Sequence, residues 1–168
     1  VNNNSTDNCA IASLVLSQTS FVCAEVGANT EVLTVTDVNG NSSTCSTAVM
    51  VLDTVDPLAI CQNITVQLNN TGNASIVPSQ INNGSSDACG VANLALNIST
   101  FNCANVNGNT VILTVTDVNG NSSTCSATVT VLDTVPPIAN CQNVTVHLNN
   151  TGTGSTSAFA VNNNSTDN

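Results

Sequence analysis

Shifted along itself by about 80 residues, the chain realigns without a gap: Cys9 falls on Cys89, Cys23 on Cys103, Cys45 on Cys125 and Cys61 on Cys141. A fixed period constrains folding more than any other sequence feature. Each copy must adopt the same structure and bury its apolar face within itself or against a neighbour. The run Leu33 to Asp37, then Val38-Asn39-Gly40-Asn41-Ser42-Ser43-Thr44-Cys45, recurs with few changes from Leu113 to Cys125, and Val161–Asn168 repeats Val1–Asn8. This is the pattern expected of a window within a longer repeating polymer. Proline supplies the punctuation. Asp53-Thr54-Val55-Asp56-Pro57 and Asp133-Thr134-Val135-Pro136-Pro137 each separate two strand-like runs, and a ladder strand tolerates Pro poorly. The expected organisation is therefore the back part of one module over 1–53, a complete module over 54–133, and the front part of a third over 134–168.

Local patterns predict an all-β fold. Val and Thr favour strands, Asn and Gly favour turns, and Lys and Arg are absent. Within the complete module, strands are expected near 59–68, near 74–81 (with Pro78 marking an edge or bulge), over 91–98 as a central strand, and over 111–116. Val111, Leu113 and Val115 should face inward there. Asn119-Gly120 is a hairpin turn, and the last strand sets Cys125, Ala127, Val129 and Val131 on one face. About seven short strands in about 80 residues suggest an immunoglobulin-like β-sandwich, with modules stacked end to end. Phe101, whose counterpart in the first copy is Phe21, is the complete module's one aromatic residue, and cores this thin commonly need staples.

The staples are the eight cysteines. Their even number and regular spacing point to disulfides and an oxidising compartment. Zinc fits less well, because no Cys-x-x-Cys pair exists and His147 is Gln67 in the neighbouring copy. First and last strands running side by side from one pole would pair Cys61 with Cys125. Short loops would be closed by Cys89–Cys103 and its counterpart Cys9–Cys23. Cys45 and Cys141 would take partners beyond the window.

With a formal charge of −10, no Lys or Arg and a single His, the chain lacks the cationic side chains needed to displace counterions from nucleic acid or to dock on anionic lipid. No stretch suits membrane insertion. Cationic partners are favoured, Ca²⁺ being the simplest outside a cell. Apart from Glu25 and Glu31, every acidic residue is an Asp at one of a few repeat positions: Asp7, Asp87 and Asp167; Asp37 and Asp117; Asp53 and Asp133; and Asp56. In a sandwich of this topology the linker with Asp53 and Asp56, the Asp87 loop and the Asp117-Val118-Asn119-Gly120-Asn121 hairpin should meet at one pole. Asn119 and Asn121 would add oxygens to a cage suited to Ca²⁺, and Asp7, Asp37, Asp133 and Asp167 would serve the corresponding junctions. The same residues also read as turn formers, since Asp-x-Asn-Gly is a good hairpin on its own.

The Pro-punctuated linker leading into Cys61-Gln62-Asn63-Ile64-Thr65-Val66, with Thr116-Asp117-Val118-Asn119-Gly120-Asn121 and Cys125 near the end, resembles the hyalin repeat family of immunoglobulin-like modules. Asp87-Ala88-Cys89-Gly90 and Phe101-Asn102-Cys103 are similar to its bacterial version, found in giant cell-surface and gliding adhesins of Bacteroidota, many exported by the type IX system. The resemblance implies an extracellular or cell-surface protein serving adhesion or a matrix. Asp53-Thr54-Val55 and Asp133-Thr134-Val135 also resemble the Asp-Thr-aliphatic O-glycosylation signal of Bacteroidota, which would make Thr54 and Thr134 acceptors. The alternative is a linker that uses Thr for turn geometry.

An enzyme is not expected: Ser and Thr abound, but no repeated His or Lys is present to activate them. The leading expectation is a stalk or filament repeat. Its partners would be identical neighbouring modules in the same chain, parallel chains in a fibre, and surface glycans met at a distant tip. The alternative is a glycan- or ice-binding module using the flat face of Thr114, Thr116, Thr128 and Thr130.

Overall fold

A computed structural model describes residues 4–168; Val1–Asn3, the head of the first partial module, lie outside the described residues. The fold is all-β, with nine strands in three sheets, two short α-helical turns and two 3₁₀ turns among the described residues. The chain forms two compact units. One comprises the chain up to Leu58 with Ser86–Asn93 and Val115–Ser123, and the other comprises Ala59–Ser85, Leu94–Thr114 and Thr124–Asn168.

In the first unit, β1 (Ile11–Leu16), β2 (Gly27–Asp37) and β3 (Ser42–Val51) form an antiparallel sheet with β2 in the middle. Leu33 is buried there, and so is Glu31, whose carboxylate accepts from the Ser17 hydroxyl. Ser17 also caps the edge: its Oγ accepts from Val32 N at 2.8 Å, while its own N–H reaches Val32 O at 2.9 Å.

The complete module contributes β4 (Ile64–Gln67), β5 (Asn73–Ser75), a helical turn α1 (Pro78–Ile81), β6 (Val91–Leu96), β7 (Thr100–Asn102), β8 (Asn107–Asp117) and β9 (Ser122–Leu132). A four-stranded sheet runs β4-β9-β8-β6, and β5 pairs with β7. The first strand of the module lies parallel to its last, Ile64 opposite Val129 and Val66 opposite Val131. Alternation sets the burial of β8 and β9. Val111, Leu113 and Val115 are fully buried, as are Val129 and Val131, with Ala127 nearly so, because successive side chains of a strand point to opposite faces. Leu68, Ile76, Ile81 and Phe101 are also buried in the second unit.

Three expected strands differ from those observed. The 74–81 run is a strand only to Ser75. Pro78 instead opens α1, where its fixed φ suits the first helical position and its missing N–H costs nothing. Gln80 Oε1 accepts from Val77 N at 2.8 Å, and buried Ile81 anchors the turn. The 59–68 strand is confined to β4. Before it the backbone bridges the loop segment, Leu58 to Ser86 and Cys61 to Asn82. The 91–98 strand ends at Leu96 and lies at the sheet edge, not its centre. Its free end is closed by Asn97, whose Oδ1 accepts from Ile112 N at 2.8 Å.

The third copy repeats these local details. A second helical turn, α2 (Ala158–Val161), stands where α1 stands in the complete module, and Ile138–Thr166 and Cys141–Asn162 repeat its bridges.

Candidate functional site

Of the candidate calcium ligands, Asp7, Asp37, Asp53, Asp56, Asp87, Asp117, Asn119 and Asn121 lie in the first unit, and Asp133 and Asp167 in the second. β8 and β9 are joined by a tight turn whose pivot is Asp117. Its Oδ1 accepts from the backbone N–H groups of Asn119 (2.9 Å), Gly120 (2.6 Å) and Asn121 (2.8 Å), and its Oδ2 accepts from Asn121 Nδ2 at 2.7 Å. Gly120 supplies the positive φ that the turn needs. A carboxylate offers about four lone-pair sites, and those of Asp117 are taken by its own turn. Burial pushes the Asp117 carboxyl up, but the Asn121 side chain and the three N–H donors outweigh it, so its pKa lies below the ordinary aspartate value. Asp37 is the same pivot in the first copy. It is lowered chiefly by the Asn41 side chain, which donates to Oδ2 at 2.7 Å.

Asp87 organises the loop before β6, its Oδ1 accepting from Cys89 N at 2.7 Å and Gly90 N at 3.1 Å. Asp7 does the same for Cys9 and Ala10. Gly90 O then accepts from Val118 N at 3.1 Å, tying this loop to the β8–β9 turn. The incoming linker docks on the same turn: Asn121 Nδ2 reaches Asp53 O at 3.3 Å, and the Ser123 hydroxyl donates to Pro57 O.

Asp53 and Asp87 are thereby brought together. One carboxylate oxygen of each, with Cys89 Sγ, lies within 4.8 Å of the others, the one such trio of acidic, cysteine or histidine side chains among the described residues. Asp53 Oδ1 accepts from Val55 N at 3.1 Å, whereas its Oδ2 is buried without a hydrogen-bond partner. The sulfur is spoken for, because Cys89 is disulfide-bonded. Asp56 stays exposed outside the trio, and Asn119 enters the turn through its backbone. Asp133 and Asp167 are exposed and accept from Val135 N and Asn168 N.

Two disulfides cross-link the chain. Cys61 is bonded to Cys125, the pairing expected of adjacent first and last strands. The other bond joins Cys23 to Cys89, and this corrects the expected Cys9–Cys23 and Cys89–Cys103 pairs. The reason is local: the Asp87–Gly90 loop folds into the unit that holds Cys23, whereas Cys103 belongs to the other unit. Cys9, Cys45, Cys103 and Cys141 carry free, exposed thiols. The expected glycosylation acceptors Thr54 and Thr134 are both exposed. Asn63 and Asn97, each the first residue of an Asn-x-Ser/Thr sequence, spend their side-chain oxygens on Thr128 N and Ile112 N.

Among the described residues no helix is long and apolar enough to cross a membrane, and two disulfides fit an oxidising compartment. The chain matches no protein-family profile and no curated protein.

Proposed function

We propose that this chain is a stretch of a structural stalk or filament in a secreted or cell-surface adhesin, built from tandem immunoglobulin-like modules of the hyalin-repeat kind and without enzymatic activity. The observation that carries this reading is the Cys23–Cys89 bond, which joins a cysteine of one copy to a cysteine of the next. A covalent tie between successive repeats serves a fibre under tension and has no use in a freely hinged array. The docking of Pro57 and Asp53 on Ser123 and Asn121 supports the same view. The threonine face of the rival binding module is poorer for recognition, since Thr114, Thr116 and Thr130 are half-buried.

Calcium belongs to this proposal. Asp53 and Asp87 offer adjacent carboxylates, one with an unpartnered buried oxygen, and linker carbonyls and water would complete the six to eight oxygens Ca²⁺ takes. Asp117 and Asn121 would shape the site without binding the ion. Solution scattering and calorimetry on the full chain, with millimolar calcium and with chelator, test both parts. An elongated particle with calcium heat that Asp53→Asn abolishes is expected. A compact particle in both conditions would sink the fibre reading. An elongated particle without heat would remove the ion alone.

A further inference from the structure

Repeat equivalence makes Cys103 the counterpart of Cys23, yet Cys23 is bonded and Cys103 is not. The surroundings of Cys103 show what it is shaped to receive. Its Sγ lies 3.3 Å from Asn168 O and 3.8 Å from Gly72 O. Asn168 is held there by its own side chain, Nδ2 donating to Asn69 O at 3.0 Å, with Oδ1 buried and unpartnered. Gly72 adopts φ +71, and a Cβ at that position would stand 2.8 Å from the Cys103 sulfur and 3.2 Å from the Asn168 carbonyl carbon. The turn therefore leaves just enough room for an incoming backbone to pass beside the thiol.

That backbone is the segment Val161–Asn168, identical in sequence to Val1–Asn8. In both other copies the residue that follows this position is a cysteine, Cys9 and Cys89, and in the second copy that cysteine is the one bonded to Cys23. The same thiol position, the same approaching segment and the same next residue recur one repeat later.

We propose that Cys103 is one half of an inter-module disulfide whose other half is the cysteine of the Asp-x-Cys loop of a following copy of this module, with Cys9 playing that second role toward a preceding copy. The two surfaces differ, so the contact is heterologous and propagates as a linear polymer instead of closing into a dimer. In the bond-forming step each thiol loses one hydrogen and the sulfurs join. The two electrons and two protons pass to a small-molecule disulfide such as oxidised glutathione, which is reduced to two thiols. This inference rests on the stalk reading but makes a separate claim about which sulfurs join.

The test is to append a single cysteine after Asn168 of the full chain, equilibrate it with reduced and oxidised glutathione, alkylate it under native conditions and map the peptides. The four free thiols of the unextended chain, plus the appended one, should fall to three, with the appended cysteine bonded to Cys103 and Cys9, Cys45 and Cys141 still alkylated. Retention of Cys23–Cys89 and Cys61–Cys125 on the same map reports that the fold is intact. With Cys103→Ser the appended cysteine should become fully alkylated. A bond from the appended cysteine to Cys141, or alkylation of both it and Cys103, would overturn the proposal. Scattering on the same sample separates the two claims: an elongated particle lacking the bond removes only the linkage, and a compact particle with the bond removes only the stalk.

Discussion

Cys23, in the 3₁₀ turn that follows β1, is bonded to Cys89, in the loop that precedes β6, although Cys103 is its counterpart in the repeat. The bond closes a loop of 66 residues, and loop-closure entropy for that length corresponds to about 4 kcal/mol. Replacing Cys23 and Cys89 together by Ser should lower stability to denaturant by about that amount. In the native oxidised chain, iodoacetamide should label four cysteines, Cys9, Cys45, Cys103 and Cys141. A mass spectrum showing labelled Cys23 or Cys89 would exclude the pairing.

The turn pivots set the acid limit. Asp37 and Asp117 both have native pKa values below the ordinary aspartate value. A carboxylate that holds its proton less readily when folded contributes stability fully above the unfolded value of about 4, and that contribution is lost as pH falls through the lowered native value. Urea midpoints should therefore be level from neutrality to about pH 5 and fall below about pH 4. Asp117→Asn should lower the midpoint at neutral pH and flatten the acid fall. An unchanged acid profile in this variant would deny Asp117 its place at the centre of the turn.

A difference between copies provides a matched pair of backbone tests. Ala10 adopts φ 138 where the next copy has Gly90 at φ 112, and a side chain in this region costs about 1 to 3 kcal/mol. Space is not the problem, since a Cβ on Gly90 would meet only Val118 Cγ1 at an ordinary 3.8 Å. Ala10→Gly should raise stability by about 1 kcal/mol, and Gly90→Ala should lower it by about 1 to 3 kcal/mol, both read from thermal melts. A stabilising Gly90→Ala would contradict the strain argument.

Glu31 stands in β2 where Val111 stands in β8, and both are buried. A buried polar side chain in that position depends on the Ser17 hydroxyl. Glu31→Val should therefore stabilise the chain by about 1 kcal/mol or more, because a buried carboxylate with one neutral donor is poorly compensated. Ser17→Ala should destabilise it by about 1 to 3 kcal/mol, since it strands the carboxylate and also removes the acceptor for Val32 N. Ser17→Ala measured in the Glu31→Val background should cost less, and equal costs in the two backgrounds would show that the two side chains are uncoupled.

The strongest sequence signals belong to the interior of the repeat. The alternation of Val111, Leu113 and Val115 announces β8 and its buried face, and Asn119-Gly120 announces the turn. Pro78 misleads because the same residue is tolerated at a strand edge and favoured at a helix start. Only Gln80 and Ile81, placed to cap and anchor a turn of helix, separate the two. The Cys23–Cys89 bond is hidden for a different reason. A shift by one period maps Cys9 onto Cys89, so self-comparison treats a bond within a copy and a bond across copies as the same pattern. Only the folding of the Asp87 loop beside the previous copy breaks that tie. The gathering of Asp53 and Asp87 follows from the same loop, while the exposed position of Asp56 depends on a linker path that no periodicity encodes.

The two bonds interlace, for Cys61 lies between Cys23 and Cys89, and Cys89 lies between Cys61 and Cys125. Every peptide bond from Cys23 to Cys125 is therefore spanned by at least one disulfide. A protease that cuts once anywhere in that stretch leaves its two products attached, and the molecule is not shed. Separating the two ends requires either three cuts, one between each successive pair of these four cysteines, or a reductant. In an oxidising compartment, where reductants are scarce, such a chain can be cut twice within that stretch and still hold its two ends together.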